Sequence, residues 1–398
     1  GRLAGFASGH VMTSNPLHDV VIAGVHNTTQ ARELPGETSS SVQLDAVRGV
    51  LADAGLGIDA VDGIVDGGVG LAYDLRIGPA WRGAHRTGVA MLLEAASAIA
   101  TGQCTTALVV GGSAGVYTER GATAPWTRPN NQFVATWGLF TAAEFAFIAR
   151  RHMEVYGTQP EHLATVAATI RNNGHVNPDA VYYGRGPFTP DDILGSRMVA
   201  DPFHLLDCST TSEGGCAVLL TTAERARDLP SQSVYVLGGG LDAYGPSYTH
   251  PPSFDLIGRK PDYRNGYVGR TAADRSFAMA GITHADVDVC EFYDPFSFEV
   301  IRQFEAFGFC DEGEGGDFVS GGTIEVGGRY PITTDGGTMS FSHAGSIVQL
   351  LQRVTRGVEQ LRGACKTQQV PDAEIALCTN GGAGAMFTDV IVLGKDRP

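Results

Sequence analysis

No cysteine precedes Cys104, and the seven that follow (Cys104, Cys208, Cys216, Cys290, Cys310, Cys365 and Cys378) are widely spaced and odd in number. There is no CxxC pair, which excludes the common zinc-ligand arrays and a disulfide scaffold. Buried free thiols in a reducing compartment are the plain reading. No apolar run reaches the ~18 residues that a membrane-spanning helix needs. The first residues lack a basic stretch followed by an apolar one, so no signal peptide is read there. A cytoplasmic protein is the expectation. No glycine fingerprint with a ribose-binding acid is found, and no phosphate-binding loop with its lysine, so neither nucleotide motif is present. Positive charge is also short: 28 Lys and Arg stand against 43 Asp and Glu, a net charge of -15. Such a surface repels phosphate backbones and argues against nucleic acid as a partner.

What the chain does contain is core and glycine. It has 398 residues, 43% of them hydrophobic, and 53 are glycine. That is ample for one large duplicated unit or for two to three domains. Apolar runs and helical spacing alternate. A strand is expected at Asp19 to Val25, a helix at Ser41 to Asp53 stopped by Gly55, and a short strand at Gly63 to Val65. An alanine-rich helix follows from Gly88 to Thr101, then a buried strand from Thr106 into Gly111 and Gly112.

The second part repeats this plan. LADAGLGIDAVDGIVD (51–66) and FAMAGITHADVDVCEFYD (277–294) both carry Ala-Gly at a helix end and Val-Asp at a strand start. The spacing from Gly55 to Val61 equals that from Gly281 to Val287. A helix from Ile347 to Leu361 and a strand from Ile375 to Thr379, ending at Gly381 and Gly382, mirror the Gly88 helix and the Gly111 strand. An internal duplication is the economical explanation. The expected architecture is α/β, two similar halves about a pseudo-twofold axis, with loops from equivalent strand ends meeting at one cleft. The first half spans 18–250, with an inserted region at about 117–203, and the second spans 251–398. In the insertion, helices are expected at Leu139 to Tyr156 and Glu161 to Arg171, followed by loop through Asn172, Asn173 and a Gly/Pro-rich stretch. Such segments lie over a substrate entrance or a subunit contact.

Several strings, weak singly but ordered along the chain, carry a family resemblance. They are ARRHMEVYGTQPEHLA (149–164), NNGHVNP (172–178), DPFHLLDCSTTSEGGCAVLL (201–220), GFCDEGEGGDFV (308–319) and GGTMSFSHAG (336–345). The chain resembles the thiolase superfamily, in the branch of sterol-carrier-protein thiolases and lipid-transfer-like proteins, and within it the steroid side-chain-cleaving aldolases. The resemblance implies a duplicated thiolase fold layered αβαβα.

It also implies site residues, each with a plainer alternative. A thiolase carries its nucleophilic cysteine at the start of the helix that here begins near Gly88. His85 most nearly occupies that place and no cysteine lies within reach, so ordinary thioester exchange is not expected. His343, in Ser342-His343-Ala344, matches the family's loop histidine, whose N–H can stabilise an enolate oxygen; the plainer reading is a loop histidine beside a helix start. Tyr293, in Tyr293-Asp294-Pro295-Phe296, stands where the family has a polar catalytic residue, as in the tyrosine-using aldolases; a packing tyrosine is the alternative. Phe341 stands where those aldolases have a second tyrosine, so either Tyr244 or His343 substitutes for it or the reaction differs. Tyr248 follows Tyr244 and shares its ambiguity. Cys378 corresponds to the family's late cysteine, a base there, or is simply buried in its strand. Asn380 and Gly381 are placed as loop residues lining the cleft, with His85 and Phe341 as further substrate-binding candidates.

Three functions are weighed. The first is retro-aldol cleavage of a β-hydroxy acyl-CoA, a steroid side-chain CoA ester, giving a ketone and propionyl-CoA with no metal and no cofactor beyond the CoA of the substrate. The second is an atypical thiolase or carbon–carbon-bond-forming acyltransferase. The third is a non-catalytic acyl-CoA or sterol-binding subunit. By resemblance the chain forms a homodimer and pairs with a small OB-fold, zinc-containing protein in a heterotetramer.

Overall fold

The structure is a computed structural model and describes residues 15–115, 141–243, 268–381 and 387–397. The expected boundary between halves at 250/251, Tyr244, Tyr248 and the start of the inserted region lie outside the described residues.

The strands are β1 (Val20–Asn27), β2 (Gly63–Val65), β3 (Trp81–Arg82), β4 (Thr106–Ser113), β5 (Met198–Ala200), β6 (Phe203–His204), β7 (Gly214–Thr222), β8 (Val234–Ala243), β9 (Val289–Glu291), β10 (Ile375–Gly381) and β11 (Phe387–Gly394). The longer helices are α1 (Ser39–Ala54), α2 (Gly88–Ala100), α3 (Thr141–Tyr156), α4 (Pro160–Val176), α5 (Arg270–Ala280), α6 (Ser297–Ala306) and α7 (Gly345–Arg362). Nine strands form one sheet in the order β3-β2-β4-β7-β1-β8-β11-β10-β9.

The duplication is visible in the pairing. Outward from the centre, β1 pairs antiparallel with β7, β7 antiparallel with β4, and β4 parallel with β2. In the second half β8 pairs antiparallel with β11, β11 antiparallel with β10, and β10 parallel with β9. A parallel bridge from Cys290 to Ile332 stands where β3 stands in the first half. The halves join through β1 and β8, at Val21–Tyr235 and Ile22–Val234, so β8 pairs as a second-half strand although the expected division after residue 250 put it in the first half. The repeated Ala-Gly is a repeated helix stop: Gly55 and Gly281 both take the left-handed conformation, φ 68° and 69°, that an alanine would resist.

The layers follow from which face each strand buries. α1 packs outside the first-half sheet, its Ala46 and Val50 sharing a core with Ile64, Leu108 and Leu219 of the strands. α5 covers the outside of the second half, with α6, α3 and α4 over the same core. Between the sheet faces lie α2 and α7, whose apolar residues (Met91, Leu92, Val348, Leu351, Val354) share one cluster with both halves. α2 touches β10 and β11, and α7 touches β4 and β7, so each central helix also packs on the opposite half. The result is the expected αβαβα order. Three consecutive glycines let helices close on β8: a Cβ at Gly239 would meet Leu93 of α2 at 2.2 Å, and one at Gly240 the Ala272 backbone oxygen of α5 at 2.6 Å.

One expected loop is helix. α4 runs on to Val176, through Asn172 and Asn173, rather than ending at Arg171. Both asparagines are held there by tertiary bonds that propensity cannot foresee: Asn172 to the Phe188 carbonyl and Asn173 to the Ile332 carbonyl. Among the described residues no helix is long and apolar enough to cross a membrane.

Candidate active site

The loop after β9 is buried. Glu291 closes the strand, Asp294 and Pro295 turn the chain, and α6 begins at Ser297. Asp294 accepts the backbone N–H groups of Thr338 (2.8 Å) and Met339 (3.1 Å), while the Thr338 hydroxyl donates to the Asp294 carbonyl at 2.7 Å. The turn Gly337–Phe341, which leads into His343, is thus fixed to the Tyr293 loop. Gly337 is required here: its φ is 57°, and a Cβ would lie 2.2 Å from the Asp294 carboxylate. Arg171 of α4 clamps the far side, donating to the carbonyls of Met339 (3.0 Å) and Cys208 (2.9 Å). Beneath, Arg353 of α7 makes a bidentate pair with Asp335 (2.8 and 2.7 Å) and a longer contact to Glu291 (3.4 Å). Burial, then Asp335, push the Glu291 carboxyl up.

Tyr293 is 7% exposed. Its N–H donates to the Thr379 hydroxyl and its carbonyl accepts from Gln303, which fixes the backbone. The Gln349 amide of α7 donates to the phenol oxygen at 3.3 Å. With that lone pair occupied, the phenol hydrogen is directed elsewhere.

His343 is held by its own N–H, which donates to the Ser212 hydroxyl at 2.7 Å, and by Nδ1, 2.8 Å from the Thr210 carbonyl. A carbonyl can only accept, so Nδ1 carries the hydrogen. Burial lowers the imidazole to about 4, against smaller opposing pulls from the Thr210 carbonyl and Gln349. The neutral ring therefore presents a lone pair at Nε2. This revises the expected role: N–H donation to an enolate oxygen requires a protonated ring, which burial opposes. Gln349 stands beside both the phenol and the imidazole.

The other expected residues divide. Cys378 is fully buried in β10 and its sulfur faces α7; a Cβ at Gly357 would sit 2.5 Å from it. Burial raises its thiol well above the ordinary range, so it is a packed thiol and not a base at the cleft. His85 is exposed, three residues before the helix, with its N–H donating to Glu94. Thr87 stands at the N-cap position of α2 without a side-chain cap bond, and its hydroxyl donates instead to Asp389 of β11 at 3.3 Å. Phe341 is buried and lines a different cavity, of about 590 Å³, with His26, Asn177 and Arg356. Asn380 is fully buried, and neither of its side-chain atoms has a hydrogen-bond partner elsewhere. Gly381 ends β10 beside Tyr293: a Cβ there would lie 3.7 Å from the tyrosine ring.

Gln349, Thr87 and Asp389 were not expected. Asp389 did leave a signal, as a lone acid inside the apolar strand run Phe387–Gly394. Gln349 lies on an amphipathic helix whose polar face points inward, which periodicity alone reads as the solvent face.

Comparison with known proteins agrees with this geometry. Residues 256–395 match the family described as thiolase C-terminal domain-like. The chain is 32% identical over 370 residues to the 17-hydroxy-3-oxo-4-pregnene-20-carboxyl-CoA lyase of Mycobacterium tuberculosis, covering 87% of this chain and 92% of that protein. It is 30% identical over 417 residues to a steroid side-chain-cleaving aldolase of Thermomonospora curvata, covering 94% and 98%. Among solved structures, the Ltp2-ChsH2(DUF35) aldolase superposes with a TM-score of 0.82 at 28% identity, over 96% of this chain and 98% of that one. The chain belongs to the thiolase superfamily, in the group that holds the steroid side-chain-cleaving aldolases and sterol-carrier-protein thiolases.

Proposed function

We propose that this chain cleaves a steroid side-chain β-hydroxy acyl-CoA by a retro-aldol reaction, giving a ketone and propionyl-CoA. The observation that carries the reading is near full-length similarity to two proteins named for that kind of cleavage, joined to a site without an available thiol. Tyr293 takes the hydroxyl proton while its own phenol hydrogen passes to the His343 lone pair. The carbon–carbon bond breaks, and its electrons pass into the thioester as an enolate. Asn380 and the end of β10 at Gly381 hold the acyl thioester end. The thioester supplies the electron sink, so the scheme runs without a further cofactor.

The assembly belongs to the same reading. The related solved aldolase is named Ltp2-ChsH2(DUF35), which supports a small OB-fold, zinc-containing partner here. The same reading puts a homodimer contact at the β3 edge of the sheet. Val69 and Tyr73, 55% and 89% exposed on the segment joining β2 to β3, support an interface there.

The test is incubation with a panel of steroid β-hydroxy acyl-CoA esters, with and without the OB-fold partner, following ketone and propionyl-CoA. Cleavage without mass gain on the protein is expected. A substrate-dependent adduct on a cysteine speaks for acyl transfer instead, and binding without turnover in every combination speaks for a non-catalytic subunit.

A further inference from the structure

We propose that Asp389 is the carboxylic acid that returns a proton to the α-carbon after the carbon–carbon bond has broken, an assignment that rests on the retro-aldol reading above.

β11 alternates its faces. Thr388 points to the outer helices, where its hydroxyl accepts from Arg302, while Ile391 and Leu393 share the core of the central helices. Asp389 has their parity, so its carboxyl faces α2 and α7. It is 4% exposed. Asn380 is its direct partner across the β10–β11 ladder, and Gly381, the next residue, abuts the Tyr293 ring. The acid and the phenol ring thus meet successive residues at the end of one strand, Asn380 and Gly381.

Its company differs from that of the other buried acids around the site. Glu291 and Asp335 have Arg353, and Glu299 has Arg302. Asp294 has two backbone amides. Asp389 has the Thr87 hydroxyl and the uncommitted Asn380 amide, with no cationic partner among the described residues. From β8, Asp242 adds a like charge. A buried carboxyl with neutral donors and a neighbouring acid keeps its proton; burial pushes it up to about 7. Thr87, in turn, spends its hydroxyl on Asp389 and does not cap α2 with its side chain.

The chemistry balances. The base takes the hydroxyl proton as the carbon–carbon bond breaks and the ketone forms. Asp389 O–H then breaks, its proton forms the new C–H bond on the enolate carbon, and the thioester carbonyl is restored. The carboxylate left behind is reprotonated through water, and the base loses its proton the same way. Phe341 has no proton to give.

The test is hydrogen–deuterium exchange at the α-carbon of propionyl-CoA in D2O, a half-reaction that needs neither the steroid nor the hydroxyl base. The wild-type chain should catalyse exchange, with a rate that rises with pH as the carboxylate forms. Asp389→Asn should lose roughly 10²–10⁴-fold in exchange, and Asp389→Glu should recover part of it. Circular dichroism and binding of propionyl-CoA check that the variants are folded. Exchange by Asp389→Asn at the wild-type rate, or no exchange by the wild type, overturns the assignment. Exchange that depends on Asp389 in a protein that cleaves none of the steroid esters upholds the acid and removes the aldolase reading.

Discussion

Asp294 accepts the backbone N–H of Thr338 at 2.8 Å, so the loop that carries Tyr293 and the turn that leads to His343 form one rigid piece. Asp294→Ala leaves two buried amides unpaired. Unfolding in urea should show a loss of about 3 kcal/mol, the scale of two bonds to a charged acceptor offset by local relaxation. Turnover should fall with it. Unchanged stability would mean that the two loops are held by other contacts.

Tyr293→Phe removes one oxygen from a site whose backbone is fixed by Thr379 and Gln303. The variant should fold and bind substrate like the parent. Cleavage should fall by roughly 10²–10⁴-fold in kcat, the range for a lost acid–base group, with KM little altered. Retained cleavage rules out the phenol as base.

Two groups shifted by desolvation make stability depend on pH in opposite directions. His343 is lowered to about 4 from an ordinary 6.5. Between those values the unfolded chain binds the proton and the native one does not, so stability is lost as pH falls from 6.5 to 4. Asp389 is raised to about 7 from 3.8. Over that window the native chain holds the extra proton, so stability is lost as pH rises. Each contributes a slope of at most about 1.4 kcal/mol per pH unit. Urea midpoints measured from pH 4 to 8 should show His343→Gln gaining on the parent as pH falls below 6.5, and Asp389→Asn gaining as pH rises from 4 to 7.

Cys378 packs against Gly357 with its thiol protonated. Iodoacetamide should not label it in the native protein and should do so in urea. Cys378→Ala should turn over substrate within about twofold of the parent and cost on the order of 1 kcal/mol for the small cavity. A severe loss of turnover would return the sulfur to the reaction.

Much of the fold was legible because duplication writes itself into spacing. Gly55 and Gly281 mark the same helix stop, and β2 and β9 each begin eight residues beyond them. The last turns of α4 were not legible, because Asn172 and Asn173 are helical through bonds to segments far along the chain. Tyr293 and His343 were legible as residue types in characteristic loops. The direction in which His343 exchanges hydrogen was not, since it is set by the Thr210 carbonyl, more than a hundred residues away. For Cys378 the two readings, a base or a thiol buried in its strand, could not be separated in the sequence, because strand register, not the motif around it, decides which way a side chain points. Asp389 and Gln349 come to the site from a strand interior and a helix interior, where sequence has no local mark for a shared destination.

The crossed packing of the central helices has a consequence for how this chain comes apart. α2 lies on strands of the second half and α7 on strands of the first. Neither half can shed its partner without baring a helix face and a sheet face at once. Cutting the gene between the halves should therefore yield two fragments that are insoluble alone and regain structure only when expressed together. Native-state hydrogen exchange should find β4 and β10 opening in the same event. The two similar halves form a single cooperative body, and the candidate site lies along the seam that makes them inseparable.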